Sequence, residues 1–328
     1  MLTDQEMSEK VTVIKKPGKS VLDVKSNCLY QMDVEKFLDT LPEEPIFDLV
    51  VTSPPYNIGK EYENKMPLKK YMEWQARVIE KIYRRLKDTG SICWQVGTHI
   101  SGKNQIVPLD IEFAPVFYKL GMQMRNRIVW HFGHGYHEHN RFSGRYEVIL
   151  WYTKSDDYTF NLDPVRVPSK YPGKRHFKGP KKGQLSGNPK GKNPEDAWNA
   201  LQAEFADDRA GDFWDVPNVK SNHIEKTIHP CQFPVGLIER LVLSMTKEGD
   251  LVFDPFSGVS STGVAALLHN RHFWGCELFK EYVNVAKKRL EAAIDHTVGY
   301  RPFDRPIYDP TQSNLSKRPE EWRESEEE

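Results

Sequence analysis

The sequence predicts an α/β protein built on a doubly wound, mostly parallel sheet. Three observations carry this. Leu251 to Ile294 reads strand, turn, helix, strand, helix, the alternation that builds a parallel sheet covered on both faces. Phe47-Asp48-Leu49-Val50-Val51 is a short apolar run that stops at Pro54-Pro55, as a buried strand does on meeting a rigid turn. Tyr71, Trp74, Val78, Ile82 and Leu86 recur at helical spacing, which marks a long amphipathic helix after that strand.

The 328 residues allow one large domain or two smaller ones, with a full hydrophobic core. A hydrophobic fraction of 38% and a negative mean hydropathy fit a soluble protein. No apolar run is long enough to span a membrane. Met1–Glu6 lacks the basic-then-apolar build of a secretory leader. The four cysteines are widely spaced and form no Cys-x-x-Cys pair, which argues against a zinc site and fits a reducing cytoplasm.

Along the chain, residues 1–26 read as an arm with a short strand near Val11–Ile14. A short strand at Asn27–Asp33 and a helix at Val34–Leu41 follow, then the Phe47–Val51 strand. Ile58–Pro67 reads as a polar, loose loop, and the helix from Leu68 stops at Asp88-Thr89-Gly90. Ser91–Val96 is a buried strand and Asp110–Leu120 a helix. Arg127–His131 and Tyr146–Tyr152 are two more strands. Residues 156–226 form an excursion, since Gly and Pro crowd residues 165–192. Order returns with a helix at Phe233–Thr246 and a strand at Leu251–Asp254. A helix at Ser261–His269, a strand at Phe273–Glu277 and a helix at Glu281–Ile294 complete the pattern. The organisation is thus 27–155 plus 227–295 as the main domain, with 296–328 as an extension.

Thr52-Ser53-Pro54-Pro55-Tyr56-Asn57 is the first candidate site. The prolines fix φ and donate no hydrogen bonds, and Ser53 is held out of the helical region. The bracket offers a hydroxyl, free carbonyls and an aromatic face at a strand's C-terminal end, where open α/β sheets bind ligands. It suits a flat substrate carrying an NH2 group. Alone, it reads equally as a plain turn closing a strand.

The second site is Asp254-Pro255-Phe256-Ser257-Gly258, followed by a helix and then a strand ending at Glu277. Gly258 admits a close backbone approach, the helix N-terminus points at the ligand, and Glu277 is placed to grip a ribose diol. A dinucleotide is disfavoured. Asp254 would repel a pyrophosphate, and Gly-x-Gly-x-x-Gly is not met. An acid there favours a sulfonium ligand such as S-adenosylmethionine. An ordinary strand–helix turn is the alternative.

Together the two motifs resemble the amino-methylating DNA methyltransferases, in the beta class that places the catalytic motif ahead of the cofactor motif. The resemblance covers roughly residues 27–155 and 227–292. It implies a Rossmann-like, seven-stranded sheet and S-adenosylmethionine as cofactor. Ser53, Pro54, Pro55 and Tyr56 match the catalytic motif. Asp254, Phe256, Ser257, Gly258 and Ser261 match the cofactor loop and its helix. His229, Cys231, Phe233 and Pro234 look like the segment lining the methionine end, Glu277 like the ribose acid and Asp33 like the acid near the adenine. Thr52 completes the implied cofactor set. Family loops usually carry a second glycine where this chain has Ser260, so a changed hydrogen bond is expected there.

The implied activity is direct methyl transfer to an exocyclic amine of a flipped base in double-stranded DNA. Serine at the first motif position resembles the N(4)-cytosine enzymes; N(6) of adenine is the alternative, and a nicotinamide-dependent oxidoreductase a more distant one. Net charge is zero, yet residues 165–192 hold nine Lys or Arg and no Asp or Glu. This stretch occupies the family's target-recognition position. Lys170, Lys174, Arg175, Lys178, Lys181 and Lys182 are the expected DNA contacts, with Gln184, Asn188, Arg175 and Lys178 as candidate base readers. His131, His134, His137 and His139 are too loosely spaced for a metal site. A homodimer and a cognate restriction endonuclease are candidate partners, in a bacterial or archaeal cytoplasm.

Overall fold

The computed structural model describes residues 10–16, 23–61, 63–101, 105–132, 137–169, 171–195, 197–198, 214–215, 218–220 and 223–303. The first half runs β1 (Thr12–Ile14), β2 (Cys28–Tyr30), α1 (Val34–Thr40), β3 (Phe47–Thr52), α2 (Leu68–Tyr83), β4 (Leu86–Val96), β5 (Thr98–Ser101), β6 (Gln105–Pro108), α3 (Leu109–Lys119), β7 (Gln123–His131) and β8 (Tyr146–Thr153). The second half runs β9 (Ala197–Trp198), β10 (Trp214–Asp215), α4 (Val235–Met245), β11 (Leu251–Asp254), α5 (Ser261–Leu268), β12 (His272–Cys276) and α6 (Lys280–Ile294).

The main sheet follows the order β1-β2-β12-β11-β3-β4-β8-β7-β10, with β9 also paired to β7. From β1 to β4 every pair is parallel; β8 runs antiparallel to both β4 and β7. The stretch β2 to β7 is the expected seven-stranded Rossmann-like sheet. Strands from the N-terminal arm and from residues 156–226 extend its edges, so both segments join the sheet at these points.

Side chains alternate between two cores, as a parallel sheet buried on both faces requires. Phe47 and Val50 of β3 pack with α1, α2 and α3, whereas Leu49 and Val51 face the α4, α5 and α6 side. On β11, Leu251 and Phe253 take the first side and Val252 the second.

Three local expectations are corrected. Helix α2 ends at Tyr83, and Leu86 belongs to β4, buried opposite Phe47. The register then jumps so that Ser91 faces Leu49, which places Asp88-Thr89-Gly90 inside the strand as a bulge. Gly90 is required there, since a Cβ would sit 2.9 Å from the Asp48 carbonyl oxygen. The Ile58–Pro67 loop is tied rather than loose: Glu63 accepts from the backbone N–H groups of Asn57, Ile58 and Gly59 at 2.6–2.8 Å. The β5–β6 hairpin was not expected, because its mixed polar sequence lacks clean alternation.

Candidate active site

The C-terminal ends of β2, β12, β11 and β3 open onto one cavity of about 370 Å³. Ser53, Pro54, Pro55 and Tyr56 line it, together with Phe256, Ser257, Gly258, Ser261 and Glu277. Asp33, His229, Cys231 and Phe233 line it as well. Residues far apart in the chain therefore share one site, because β3 and β11 are sheet neighbours.

The bracket is held from several directions. Pro55 offers its carbonyl to the Tyr71 hydroxyl at 2.8 Å. Asn57, at φ +59°, is locked by Asn57 Nδ2 donating to the Met66 carbonyl and Met66 N–H donating back to Asn57 Oδ1. The Ser53 hydroxyl donates to Tyr56 Oη at 3.1 Å, and the Tyr56 hydroxyl donates to Glu147 Oε2 at 3.2 Å. Gln95 Nε2 donates to the same Glu147 oxygen. Burial pushes the Glu147 carboxyl up to about 7, partly offset by these two hydrogen bonds. Gln95 and Glu147 both line the cavity and were not singled out in the sequence. The available signal was an acid inside the otherwise apolar strand Tyr146–Tyr152.

Thr52 and Asp254 lie behind the cavity wall. The Thr52 hydroxyl donates to Asp254 Oδ1 at 2.6 Å and the Thr262 hydroxyl to Oδ2 at 2.7 Å. The Phe256 N–H adds a third hydrogen bond at 3.1 Å. Asp254 is fully buried, and burial pushes its carboxyl up to about 6. The carboxylate that was expected to face a ligand instead fastens β3, the turn and α5 together, because Thr52, Thr262 and the Phe256 N–H engage both of its oxygens. Pro234, also placed in the cofactor set, is buried at the start of α4 and stays out of the cavity lining.

The turn after β11 holds two residues at positive φ. Gly258 has φ +50°, and a Cβ there would meet His229 Nε2 at 3.2 Å. Ser260, at φ +61°, occupies the left-handed region that favours glycine. Its hydroxyl lies 2.6 Å from that of Ser257, the altered hydrogen bond that replaces the second glycine. Glu277 accepts from the Gly258 N–H at 2.9 Å and the Phe279 N–H at 2.8 Å. Burial pushes its carboxyl up to about 7, with Asp254 adding in the same direction. Burial holds the His229 imidazole down at about 4, so it is neutral and accepts from the Cys231 N–H. Asp33 caps α1 by accepting from the Lys36 N–H at 3.1 Å.

Residues 171–191 form a small folded excursion, closed by a bridge between Arg175 and Leu185. Lys174, Arg175, Lys178, Lys181 and Lys182 are all exposed on it. Lys170 and His134 lie outside the described residues. Arg166 and Lys190 pair with Asp163, and Lys192 with Glu195, so those three cations are already matched. Among the described residues no group of His, Cys, Asp or Glu is arranged to hold a metal. None of the described helices is long and apolar enough to cross a membrane.

Residues 47–288 match the family described as DNA methylase (N6_N4_Mtase). The chain belongs to this DNA methylase family. The methylase is 48% identical over 269 residues to the type II methyltransferase M.BglII of Bacillus subtilis, spanning 82% of this chain and 70% of that one. It is 30% identical over 266 residues to the DNA adenine methyltransferase YhdJ of Escherichia coli K12, spanning 79% and 81%. Its fold is similar to that of a Thermus thermophilus protein described as a DNA modification methylase, solved in complex with S-adenosyl-L-methionine. There the TM-score is 0.54 at 25% identity, over 82% of this chain and 96% of that one. Membership of the methylase family sets aside the oxidoreductase alternative.

Proposed function

We propose that this DNA methylase transfers a methyl group from S-adenosylmethionine to N(4) of a cytosine flipped out of double-stranded DNA. One observation carries the reading. The Ser53–Tyr56 bracket and the Gly258–Glu277 turn face a single cavity.

S-Adenosylmethionine is the cofactor, and the residues present fit it. Gly258 keeps open a cradle that a Cβ would fill against His229. Glu277 would take the ribose hydroxyls, Asp33 the adenine side and the His229–Phe233 segment the methionine end. When bound, the cofactor supplies an electrophilic methyl carbon on a cationic sulfur.

The chain's own contribution is orientation. The Ser53 hydroxyl gives its proton to Tyr56, which leaves its lone pairs to accept from an amine. The Pro54 carbonyl is a second acceptor beside it. Two acceptors holding the N–H bonds turn the amine lone pair toward the methyl group, and such near-attack placement is worth as much as about 7–11 kcal/mol. A base reaches this bracket only after leaving the duplex, at about a few kcal/mol. The exposed cations of residues 171–191 would meet phosphates, and residues 156–226 would serve as the target-recognition region.

Serine at the first motif position supports cytosine, by the resemblance stated above. Adenine N(6) is the second reading, favoured by the likeness to YhdJ. A homodimer, and a restriction endonuclease of the same specificity, complete the proposal. The test is single-molecule sequencing of DNA from cells expressing the protein, with nucleosides identified by mass spectrometry. N(4)-methylcytosine in a fixed context is expected. N(6)-methyladenine would transfer the assignment to the second reading, and neither product would refute both.

A further inference from the structure

Ser53, Tyr56 and Glu147 form a chain of hydrogen bonds with one direction. The Ser53 proton points to Tyr56 and the Tyr56 proton to Glu147, so both run along the chain toward the carboxylate. Such an alignment polarises each member and leaves Ser53 an acceptor on its cavity side. Gln95, from β4, holds the same Glu147 oxygen from the other side, so the terminal carboxyl is fixed in place. Glu147 sits on β8 opposite Trp130 of β7, which brings no charge. Among the described residues, the titratable group facing it is the Tyr56 hydroxyl.

We propose that Tyr56 and Glu147 drain the proton released by the methylated amine, with Ser53 as the first link. This rests on the amine-methylation reading of the site. The amine nitrogen gives its lone pair to the methyl carbon as the S–C bond breaks, and that electron pair stays on sulfur. The nitrogen is left cationic with one proton too many. That proton passes to Ser53 Oγ, the Ser53 proton to Tyr56 Oη, and the Tyr56 proton to Glu147 Oε2. Each hydroxyl ends with one proton, and the ammonium and carboxylate charges cancel. Glu147 returns its proton to water after the product leaves.

The direction of charge makes the relay useful during transfer as well as after it. Positive charge grows on the nitrogen, its N–H bonds become stronger donors, and an ionised Glu147 at the far end of the chain stabilises them. The carboxyl's upward shift to about 7 makes it a better proton acceptor than an ordinary glutamate at neutral pH. Tyr56 and Glu147 act through Ser53 and position its acceptor; neither touches the reacting amine.

The experiment is single-turnover methyl transfer to PCR-amplified bacterial genomic DNA, at saturating cofactor, between about pH 5.5 and 8.5. Wild type is compared with Glu147→Gln and Tyr56→Phe, and nucleosides are identified by mass spectrometry. The wild-type rate is expected to climb through about pH 7 as Glu147 ionises. Both variants are expected to run about tenfold slower or worse at high pH, with the inflection gone. Retention of the wild-type rate and inflection by either variant overturns the relay. Calorimetric cofactor binding checks folding; if Glu147→Gln fails it, Tyr56→Phe decides. If wild type makes no N-methylated nucleoside, the amine reading itself falls. If wild type makes it and the variants match wild type, only the relay falls.

Discussion

The last residue of β3 and the last residue of β11 are joined by a buried hydrogen bond: Thr52 Oγ1 donates to Asp254 Oδ1 at 2.6 Å. The bond couples the proposed substrate bracket to the proposed cofactor turn. Each follows its anchoring residue directly, so a shift in either strand end moves both parts of the cavity lining.

Asp254→Ala should therefore act first on stability. It strands two buried hydroxyls and one N–H. Each unsatisfied buried donor costs about 1–3 kcal/mol, and a loss near 3 kcal/mol overall is expected in denaturant titration. Cofactor affinity should fall as a consequence of a loosened turn. Thr52→Val removes only one donor and should cost about 1 kcal/mol. Equal losses in the two variants would show that the carboxylate is not the hub.

Ser53→Ala removes the acceptor nearest the amine while leaving the turn at Gly258 untouched. Methyl transfer should drop by about 100-fold or more, in line with the removal of one preorganised polar group. The cofactor dissociation constant should stay within a factor of about two. A variant with unchanged transfer would remove Ser53 from the reaction.

Cofactor binding should strengthen with pH. The Glu277 carboxyl is pushed up to about 7, and only its ionised form makes charge-assisted hydrogen bonds to a ribose diol. Affinity at pH 6 should be about tenfold weaker than at pH 8, since about one glutamate in ten is ionised there. Calorimetry in buffers of different ionisation enthalpy should register proton release near pH 7, and Glu277→Gln should abolish it. In the free protein the sign reverses. A carboxyl whose folded value lies above 4.5 contributes stability at low pH that is lost as pH rises toward about 7.

Neutralising Lys174, Arg175, Lys178, Lys181 and Lys182 together should weaken DNA binding and flatten its dependence on salt. Each phosphate no longer neutralised reduces the log–log slope by about 0.9. Arg166→Gln should leave the slope alone, because that guanidinium is already paired with Asp163. A slope unchanged in the five-site variant would move the DNA-binding surface elsewhere.

How much of this was legible in the sequence depends on which force set each feature. The strand at Phe47–Thr52 and the Leu251–Cys276 alternation could be read because hydrophobic burial on a parallel sheet leaves continuous apolar runs. The bulge at Lys87–Gly90 could not. Leu86 fits a helical stripe and a strand equally well, and only its pairing with Phe47 decides. Within the site, Ser53, Gly258 and Glu277 stood out by spacing and residue type. The role of Asp254 did not, since whether a carboxylate faces ligand or protein depends on Thr52 and Thr262, which are distant or unremarkable in sequence. Glu147 was hidden for the same reason: its partners Tyr56 and Gln95 come from two other strands' ends.

The sheet order has a consequence for synthesis on the ribosome. β11 fills the slot between β12 and β3, and it emerges about 200 residues after β3. At about 5–20 residues per second, that is a wait on the order of 10–40 s. During it, β3 offers an apolar strand with one edge unpaired, a template for the wrong neighbour. The nascent first half is thus the stage at which a chaperone matters most, and slowing translation between the two motifs should lower the yield of soluble protein.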